Sequence, residues 1–370
     1  MSLGFFSVTL NATLLGASPL VLGAVLGAGT AFSYAIACQG TGRLVVRWGP
    51  KPVFVLGCLT MGTLFGSIAW PRSLAVVVPL SILAGTSMSL YWPALMAWIS
   101  HGRTSDELGK ILPQFNFTWG SCAIAGPVIG GILIERAPAA AFLATGCVMA
   151  APLLVLATAP NVRPSDAAPR PEADAGAGTT YFWIMGLAAN FLNLFVLSLS
   201  RNLFPKLGIT LGISPTVVGI LFFFISLCQM FTFALLRTSD FWRYRMWPTL
   251  GTQLLAVVAM LLVWRAESPA VFAVAFCLVG LNGGISYNAS LYYSLHAGQG
   301  GRGSSIHETT LATGSMLGPL IGGILGQMGA GIEALRAPYL FAAAVVFAAI
   351  VAQLMWLRPR LVLQRPPRWW

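Results

Sequence analysis

Charged residues are scarce in this chain of 370 residues. Asp, Glu, Lys and Arg make up 8% of the sequence, whereas hydrophobic residues make up 57% and the mean hydropathy is +0.79. So few polar side chains cannot cover the surface of a soluble globule of this length. The composition therefore excludes an ordinary soluble protein and predicts an all-α membrane protein, since long charge-poor runs cross a bilayer as helices and not as barrel strands.

Groups that perform chemistry are scarce as well. The 6 cysteines lie singly in apolar runs without any Cys-x-x-Cys pair, and there are only 3 histidines and 10 acidic residues. The sequence shows no paired carboxylates, metal-ligand cluster or activated nucleophile. The loops leave no room for a large soluble module. We therefore expect no enzyme activity, no metal or other cofactor, and no nucleic-acid partner.

Charge-poor runs long enough to cross a hydrocarbon core of about 30 Å recur along the whole chain. Residues 1–17 form a shorter stub, which we count as the first helix. The other predicted spans are residues 18–40, 52–70, 74–100, 110–134, 138–159, 180–203, 214–236, 247–265, 269–295, 304–327 and 337–357.

The sequence repeats itself halfway along. Gly16–Gly23 matches Gly212–Gly219 at an offset of 196 residues, and Gly126–Leu133 matches Gly318–Leu325 at an offset of 192. A repeat this long indicates a duplicated helical bundle. The predicted domains are an N-terminal bundle at 1–159, a cytoplasmic linker at 160–180 rich in Pro, Ala and Gly, a C-terminal bundle at 181–357 and a basic cytoplasmic tail at 358–370.

The repeat also bears on the first helix. The seventh helix is predicted to begin near Tyr181, and the same offset places the start of the first helix before Met1. We therefore expect the first helix to be truncated in this sequence. Either the true start lies upstream, or this copy has lost half a helix.

The net charge of +11 is explained by topology. Most of the 21 Lys and Arg residues fall on the side of the loop that follows residue 40, which the positive-inside rule makes cytoplasmic. This bias predicts a multi-pass protein of the bacterial cytoplasmic (inner) membrane, with the lipid bilayer as its partner and a monomer as its expected state. The exceptions are Arg72, Arg136, Arg201, Lys206, Arg265 and Arg336.

The segment between the second and third helices resembles the signature loop of the major facilitator superfamily (MFS). Gly42, Leu44, Arg47, Gly49 and Lys51 match that loop, whereas Val46 replaces its usual Asp. The resemblance implies the MFS fold, with two pseudo-symmetric six-helix bundles that work by alternating access. Arg243 keeps the register of Arg47 in the second half. We predict that both arginines hold the cytoplasmic ends of the bundles by binding helix carbonyls or acids.

A glycine-proline pattern in the fifth and eleventh helices resembles a motif of antiporters in the same superfamily. Small residues let helices approach closely, and proline lets a helix bend. The motif favours proton-coupled export of a small organic solute, although ordinary close packing explains it equally well. The alternatives are uptake of a sugar or metabolite, or a non-transporting membrane sensor. The motif residues are Gly126, Pro127, Gly130, Gly131, Gly314, Gly318, Pro319, Gly322 and Gly323.

The resemblance implies that helices 1, 4, 7 and 10 line a central substrate cavity. Helices 7 and 10 each carry a polar stripe at helical spacing, and helix 4 adds an aromatic pair. Each polar residue taken alone could instead form an interhelical hydrogen bond. The predicted cavity residues are Tyr91, Trp92, Asn190, Asn193, Arg201, Asn282, Ser286, Ser290 and Tyr293.

Glu308 is the one acidic residue inside a predicted span, and His307 precedes it directly. A carboxylate there must be protonated, paired or hydrated. The 192-residue offset places Asn116 at the equivalent position of the first half. We predict that Glu308, with His307 and Asn116, forms the coupling or gating site and that the proton is the coupling ion. A favourable interaction with the helix dipole is the alternative role.

Overall fold

The computed structural model describes residues 1–100, 105–156, 158, 177–239, 241–296 and 301–363, and all the regular elements in these ranges are helices. In chain order they are α1 (Ser2–Leu14), α2 (Val21–Trp48), α3 (Pro50–Ser67), α4 (Leu74–Ser100), α5 (Ser105–Arg136), α6 (Pro138–Leu156, with a turn at Ala151), α7 (Ala177–Thr210), α8 (Pro215–Thr238), α9 (Met246–Arg265), α10 (Pro269–His296), α11 (Gly301–Gln327) and α12 (Gly331–Leu363).

Membrane-spanning length is met by most of these helices. Within the described residues, 9 helices are long and apolar enough to cross a bilayer. In contrast, α1 has 13 residues, fewer than the roughly 20 that a span requires. It corresponds to the predicted stub.

The two halves use the same helix pairings. In the first half α1 packs on α5, α2 on α4, and α3 on α4 and α6. In the second half α7 packs on α11, α8 on α10, and α9 on α10 and α12. The halves meet where α5 packs on α8 and where α2 packs on α11. The predicted pair of pseudo-symmetric bundles is therefore confirmed.

The repeated Gly-x-Ser-Pro motif builds the turns that begin α2 and α8. Gly16 and Gly212 have φ of 86° and 79°, a left-handed conformation that glycine adopts without strain. Ser18 and Ser214 then accept hydrogen bonds from the N–H groups of Val21 at 3.3 Å and Val217 at 3.4 Å. Proline follows the serine, where its missing N–H costs nothing. The motif thus ends one helix and starts the next.

Several helices extend beyond the predicted spans. The helix that contains the second predicted span does not end at residue 40, because α2 continues to Trp48 and only Gly49, with φ of 84°, separates it from α3. Similarly, α12 runs past residue 357 to Leu363, and α7 begins at Ala177 within the predicted linker. Hydropathy marks the part of a helix inside the bilayer and not the turns beyond it. The rest of the linker and tail lies outside the described residues.

Candidate substrate and coupling site

On the side of the α1–α2 turn, predicted to be the outer side, the halves meet through glycines. A Cβ added at Gly219 of α8 would collide with the carbonyl oxygen of Pro127 on α5. A Cβ added at Gly23 of α2 would likewise collide with the carbonyl oxygen of Pro319 on α11. The pseudo-symmetry relates these two contacts. The outer ends of the halves are therefore in direct backbone contact.

Some glycines of the predicted motif pack within a half, whereas Gly131 and Gly323 lie against Pro215 and Pro19 of the other half. Gly126 lies against Ser2 of α1, and a Cβ at Gly130 would lie 2.8 Å from the Phe6 ring. On α11, Gly318 lies against the backbone of Phe195 on α7. In both α5 and α11, glycines of these turns pack against a helix of the same half. The prolines of the same turns contact a helix of the other half.

A carboxylate from one half caps a helix of the other. The N–H of Thr216, in the first turn of α8, donates a hydrogen bond of 2.9 Å to Oε2 of Glu135 at the end of α5. A carboxylate at a helix N-terminus also interacts favourably with the helix dipole. Sequence analysis missed this contact. The repeat places Gln327 at the equivalent position of α11.

The two halves also differ in the backbone of their equivalent helices. Residues Val21–Gly29 of α2 form a π-helix, whereas α8 is α-helical from Pro215 to Thr238. A Cβ at Gly27 in this segment would lie 2.6 Å from Pro319 and 3.0 Å from Asn202. π-helical turns are frequently found at functional sites, and this one lies at the boundary between the halves.

The predicted aromatic pair on α4 belongs to a larger cluster. The Tyr91 ring lies 4.5 Å from the Phe54 ring, and the Trp92 ring lies 6.0 Å from Phe115 and 6.4 Å from Trp119. Tyr91 and Trp92 are partly exposed, and Trp119 is 47% exposed. The cluster presents aromatic surface on α4 and α5 that a solute could contact.

The polar stripes on α7 and α10 face the interior of the C-terminal bundle. Asn190 and Asn193 on α7 are 0% and 1% exposed, and Asn282, Ser286 and Ser290 on α10 are buried as well. Arg201, two turns after Asn193 on α7, is exposed instead. The structure therefore separates Arg201 from the asparagines with which the sequence grouped it.

Tyr293, another predicted cavity residue, anchors a loop. Its side chain is fully buried, and its hydroxyl accepts a hydrogen bond of 2.8 Å from the N–H of Tyr244. Tyr244 lies in the α8–α9 loop with φ of 52°. In the same loop the Arg243 guanidinium lies 5.6 Å from the centre of the Trp242 ring and 5.1 Å from that of Tyr292. Arg243 thus binds ring faces at this end of the bundle.

Of the signature-loop residues, Gly42, Leu44 and Arg47 lie on the last turns of α2, Gly49 forms the link and Lys51 lies on α3. Gly42 and Arg47 are exposed, whereas Gly49 is buried. A Cβ added at Gly42 would meet no atom within 4 Å. The left-handed φ of 84° explains the glycine at Gly49, whereas packing does not explain Gly42.

His307 and Glu308 are neighbours that lie in different environments. The His307 ring is fully buried, and its Nδ1 lies 2.8 Å from Oγ of Ser290. Glu308 is exposed on α11, a helix that packs on α2 of the other half, and it is within electrostatic range of Tyr34 and Cys38 of α2 and of Tyr287 of α10. Glu308 therefore lies at the α2–α11 boundary between the halves. The side chain of Asn116, the predicted equivalent on α5, lies outside the described residues.

Comparison with known proteins agrees with this architecture. The Major Facilitator Superfamily is matched over residues 1–300 and 186–369. The chain belongs to this superfamily. Its fold is that of a secondary transporter embedded in a membrane. No curated protein matches the sequence.

Solved MFS transporters share the fold at low sequence identity. One is a bacterial homologue of the human lysosomal transporter Spinster in an inward-facing, unoccupied conformation, with 12% identity over 96% of this chain and 92% of that chain and a TM-score of 0.70. Another is the nucleoside transporter NupG, with 13% identity over 95% and 96% and a TM-score of 0.67. At these identities the likeness shows the fold and not the solute.

Proposed function

We propose that this MFS protein exports a small organic solute by alternating access, in exchange for protons, across a bacterial cytoplasmic membrane. The position of Glu308 is the observation that supports proton coupling. Its carboxylate lies on α11, which packs on α2 of the other half, and it is within electrostatic range of Tyr34 and Cys38 on that helix.

The charge state of Glu308 can bias this boundary. A carboxylate requires water or a cation, so the charged form favours the conformation in which α2 and α11 leave Glu308 accessible. The protonated carboxyl is neutral and can be enclosed when these helices close. A proton that binds on one side is then carried through the conformational change, and a ligand that binds one conformation better shifts the equilibrium towards it.

The solute would bind between the halves. Trp92 and Tyr91 of α4 offer aromatic surface, and Arg201 of α7 offers an exposed cation, so an amphipathic organic solute with an acceptor group fits both. The tight glycine contacts on the predicted outer side support a conformation that opens to the cytoplasm. Buried Asn190, Asn193 and Asn282 are not available to a solute in this conformation.

Two measurements test the proposal. First, a panel of organic solutes is screened for those that raise the thermal unfolding temperature of the purified protein, because a bound ligand stabilises the folded state. Second, transport of the hits is measured in proteoliposomes with an imposed pH gradient. We expect accumulation against the solute gradient with the parent protein, and with Glu308→Gln we expect binding and passive exchange without accumulation.

Glu267→Gln is the control, because 79% of the Glu267 side chain is accessible in the α9–α10 loop and a glutamine oxygen can still accept the contact that Arg336 makes at 3.5 Å. It should accumulate solute as the parent does. Accumulation by Glu308→Gln at the parent level would contradict proton coupling through this residue. Accumulation driven in the opposite direction would contradict export and favour an uptake carrier.

A further inference from the structure

Aromatic side chains from both halves form one continuous, partly exposed surface. In the first half the Trp92 ring on α4 lies 6.0 Å from Phe115 and 6.4 Å from Trp119 on α5. α4 packs on α2 and α3, whereas α5 packs on α1 and α8, so these rings bridge two helices that have other main partners. Trp119 remains 47% exposed, and none of the three rings belongs to the packed hydrophobic core.

The surface continues across the boundary between the halves. Gly120 follows Trp119, and Sδ of Met230 on α8 lies 2.6 Å from the point where a Cβ of Gly120 would lie. One turn further along α8, the Phe233 ring lies 6.0 Å from the Tyr287 ring of α10. Met230, Phe233 and Tyr287 are partly exposed as well. The whole surface, the aromatic band, consists of Trp92, Phe115, Trp119, Met230, Phe233 and Tyr287.

A carboxylate lies near the α10 end of the aromatic band. The Tyr287 ring is 5.5 Å from the ring of His307 on α11, and Glu308, the next residue, is within electrostatic range of Tyr287. Glu308 is exposed, whereas His307 is fully buried with its Nδ1 2.8 Å from Oγ of Ser290. The negative potential of Glu308 therefore extends over this end of the band.

The internal repeat shows that the fold does not require the two tryptophans of the band. At the offset of 196 residues Asn288 takes the place of Trp92, and at the offset of 192 residues Leu311 takes the place of Trp119. The indole rings on α4 and α5 are therefore specific to the first half. A role in binding accounts for them better than a role in the common helix packing.

We propose that the aromatic band binds a positively charged nitrogen of the solute, so that the exported solute is an organic cation with an apolar body. The faces of aromatic rings attract cations within about 6 Å, and the flexible thioether of Met230 adapts to apolar groups of different shape. Glu308 attracts a cation to the band and repels an anion. The inference rests on the proposed export of an organic solute and adds the charge of that solute.

Arg201 does not oppose a cation at the band, because it lies at another level of the membrane. Oδ1 of Asn193 on α7 lies 3.1 Å from the point where a Cβ of Gly283 on α10 would lie, so these two residues are level. Tyr287 lies one turn from this level in the direction of the cytoplasm, and Arg201 lies more than two turns from it in the opposite direction. At 1.5 Å per residue the two are about 18 Å apart along the helices, a distance at which solvent ions screen an exposed charge.

Three probes with the same ring system test the charge of the solute: naphthylmethyl-trimethylammonium, naphthylmethanol and naphthalenesulfonate. The thermal unfolding temperature of the purified protein is measured over a range of concentrations of each probe at constant ionic strength, because a bound ligand stabilises the folded state. We expect the ammonium to bind at least about tenfold more tightly than the alcohol and the sulfonate. Equal or weaker binding of the ammonium would overturn the proposal.

Variants then locate the bound cation. Trp119→Leu and Phe233→Leu each remove a ring from the band but keep an apolar side chain, so each should weaken ammonium binding about three- to thirtyfold and change the affinity for the alcohol less. Phe233→Trp keeps a ring and should retain ammonium binding. Phe231→Leu is the matched control, because Phe231 lies on the same helix, is 64% exposed and is outside the band.

The outcomes are distinguishable from a failure of the proposed export. If Trp119→Leu does not fold, Phe233→Leu and Phe233→Trp still decide the question. Equal effects of Phe231→Leu and Phe233→Leu would place the ammonium outside the band and overturn the assignment. Ammonium binding at the band by a protein that does not export it would reject export and leave this site standing, whereas export of uncharged or anionic solutes alone would reject the cation and leave export standing.

Discussion

Replacing Gly219 with alanine should shift the equilibrium away from the conformation described here. The added Cβ would overlap the carbonyl oxygen of Pro127 on the other half. The clash would involve main-chain atoms of both α5 and α8, which cannot move aside as a flexible side chain can. Overpacking of this kind costs about 1–3 kcal/mol. The cost applies only while α5 and α8 are in contact. It is lost once the outer ends separate.

The size of the shift follows from this difference. Since 1.4 kcal/mol corresponds to a factor of ten, the ratio of outward-open to outward-closed protein should rise by about five-fold to more than a hundredfold. Alanine also favours helix over glycine by about 1 kcal/mol. That gain is the same in both conformations, so it changes the overall stability but not the ratio.

Pulsed electron paramagnetic resonance can measure the ratio. Spin labels at Ala139 in the N-terminal half and at Met328 in the C-terminal half report the separation of the outer ends, and both residues are exposed. Gly251→Ala is the matched control, since a Cβ at this position in α9 would meet no atom within 4 Å. If Gly219→Ala and Gly251→Ala give the same distance distribution, the glycine contact does not hold the outer side closed.

Three further changes test other parts of the structure. Arg47→Ala should lower the transport rate but leave solute affinity within a few-fold, and a large loss of affinity at normal expression would contradict its role in holding the helix ends. Tyr293→Phe removes the hydroxyl that accepts the hydrogen bond from the N–H of Tyr244, so it should cost about 1–3 kcal/mol and lower the unfolding temperature in a calorimetric scan; an unchanged temperature would contradict the anchoring role of Tyr293. Glu135→Ala should raise the outward-open fraction in the same resonance experiment, whereas Gln327→Ala at the equivalent position should not, and equal effects would show that the α8 cap is not a latch.

The sequence predicted the number of helices and the duplication, because both leave strong local signals. The bilayer sets the length of each span, and the matched segments at Gly16 and Gly212 fix the register of the halves. Helix ends beyond the membrane were not predictable in this way. The turns of α2 that contain Arg47 are amphipathic and leave the hydrophobic signal before the helix ends.

Helical periodicity grouped the polar residues of α7 but could not assign their surroundings. Residues at helical spacing lie on the same face of a helix. That face can contact another helix in one turn and be solvent-exposed two turns later, and the spacing does not distinguish the two. Asn193 and Arg201 illustrate this, since one is buried against α10 and the other is exposed. Glu135 gave no signal at all. Its partner is a backbone N–H of Thr216, which no residue type marks in the sequence.

The contacts between the two halves are duplicated by the internal repeat, whereas the proposed proton site is not. This difference bears on how proton binding could be coupled to solute transport. The contacts that let the halves move are duplicated, since Gly23 on Pro319 matches Gly219 on Pro127. The proposed proton site belongs to one half, because Glu308 lies on α11 and its counterpart by the repeat is the uncharged Asn116. A single charged site can bias two conformations that these contacts connect, because the change in its hydration is not cancelled by an equal and opposite change in the other half. Under the proposed coupling through Glu308, the asymmetry of the C-terminal half, and not the duplicated glycine contacts, makes the balance of the two conformations depend on pH.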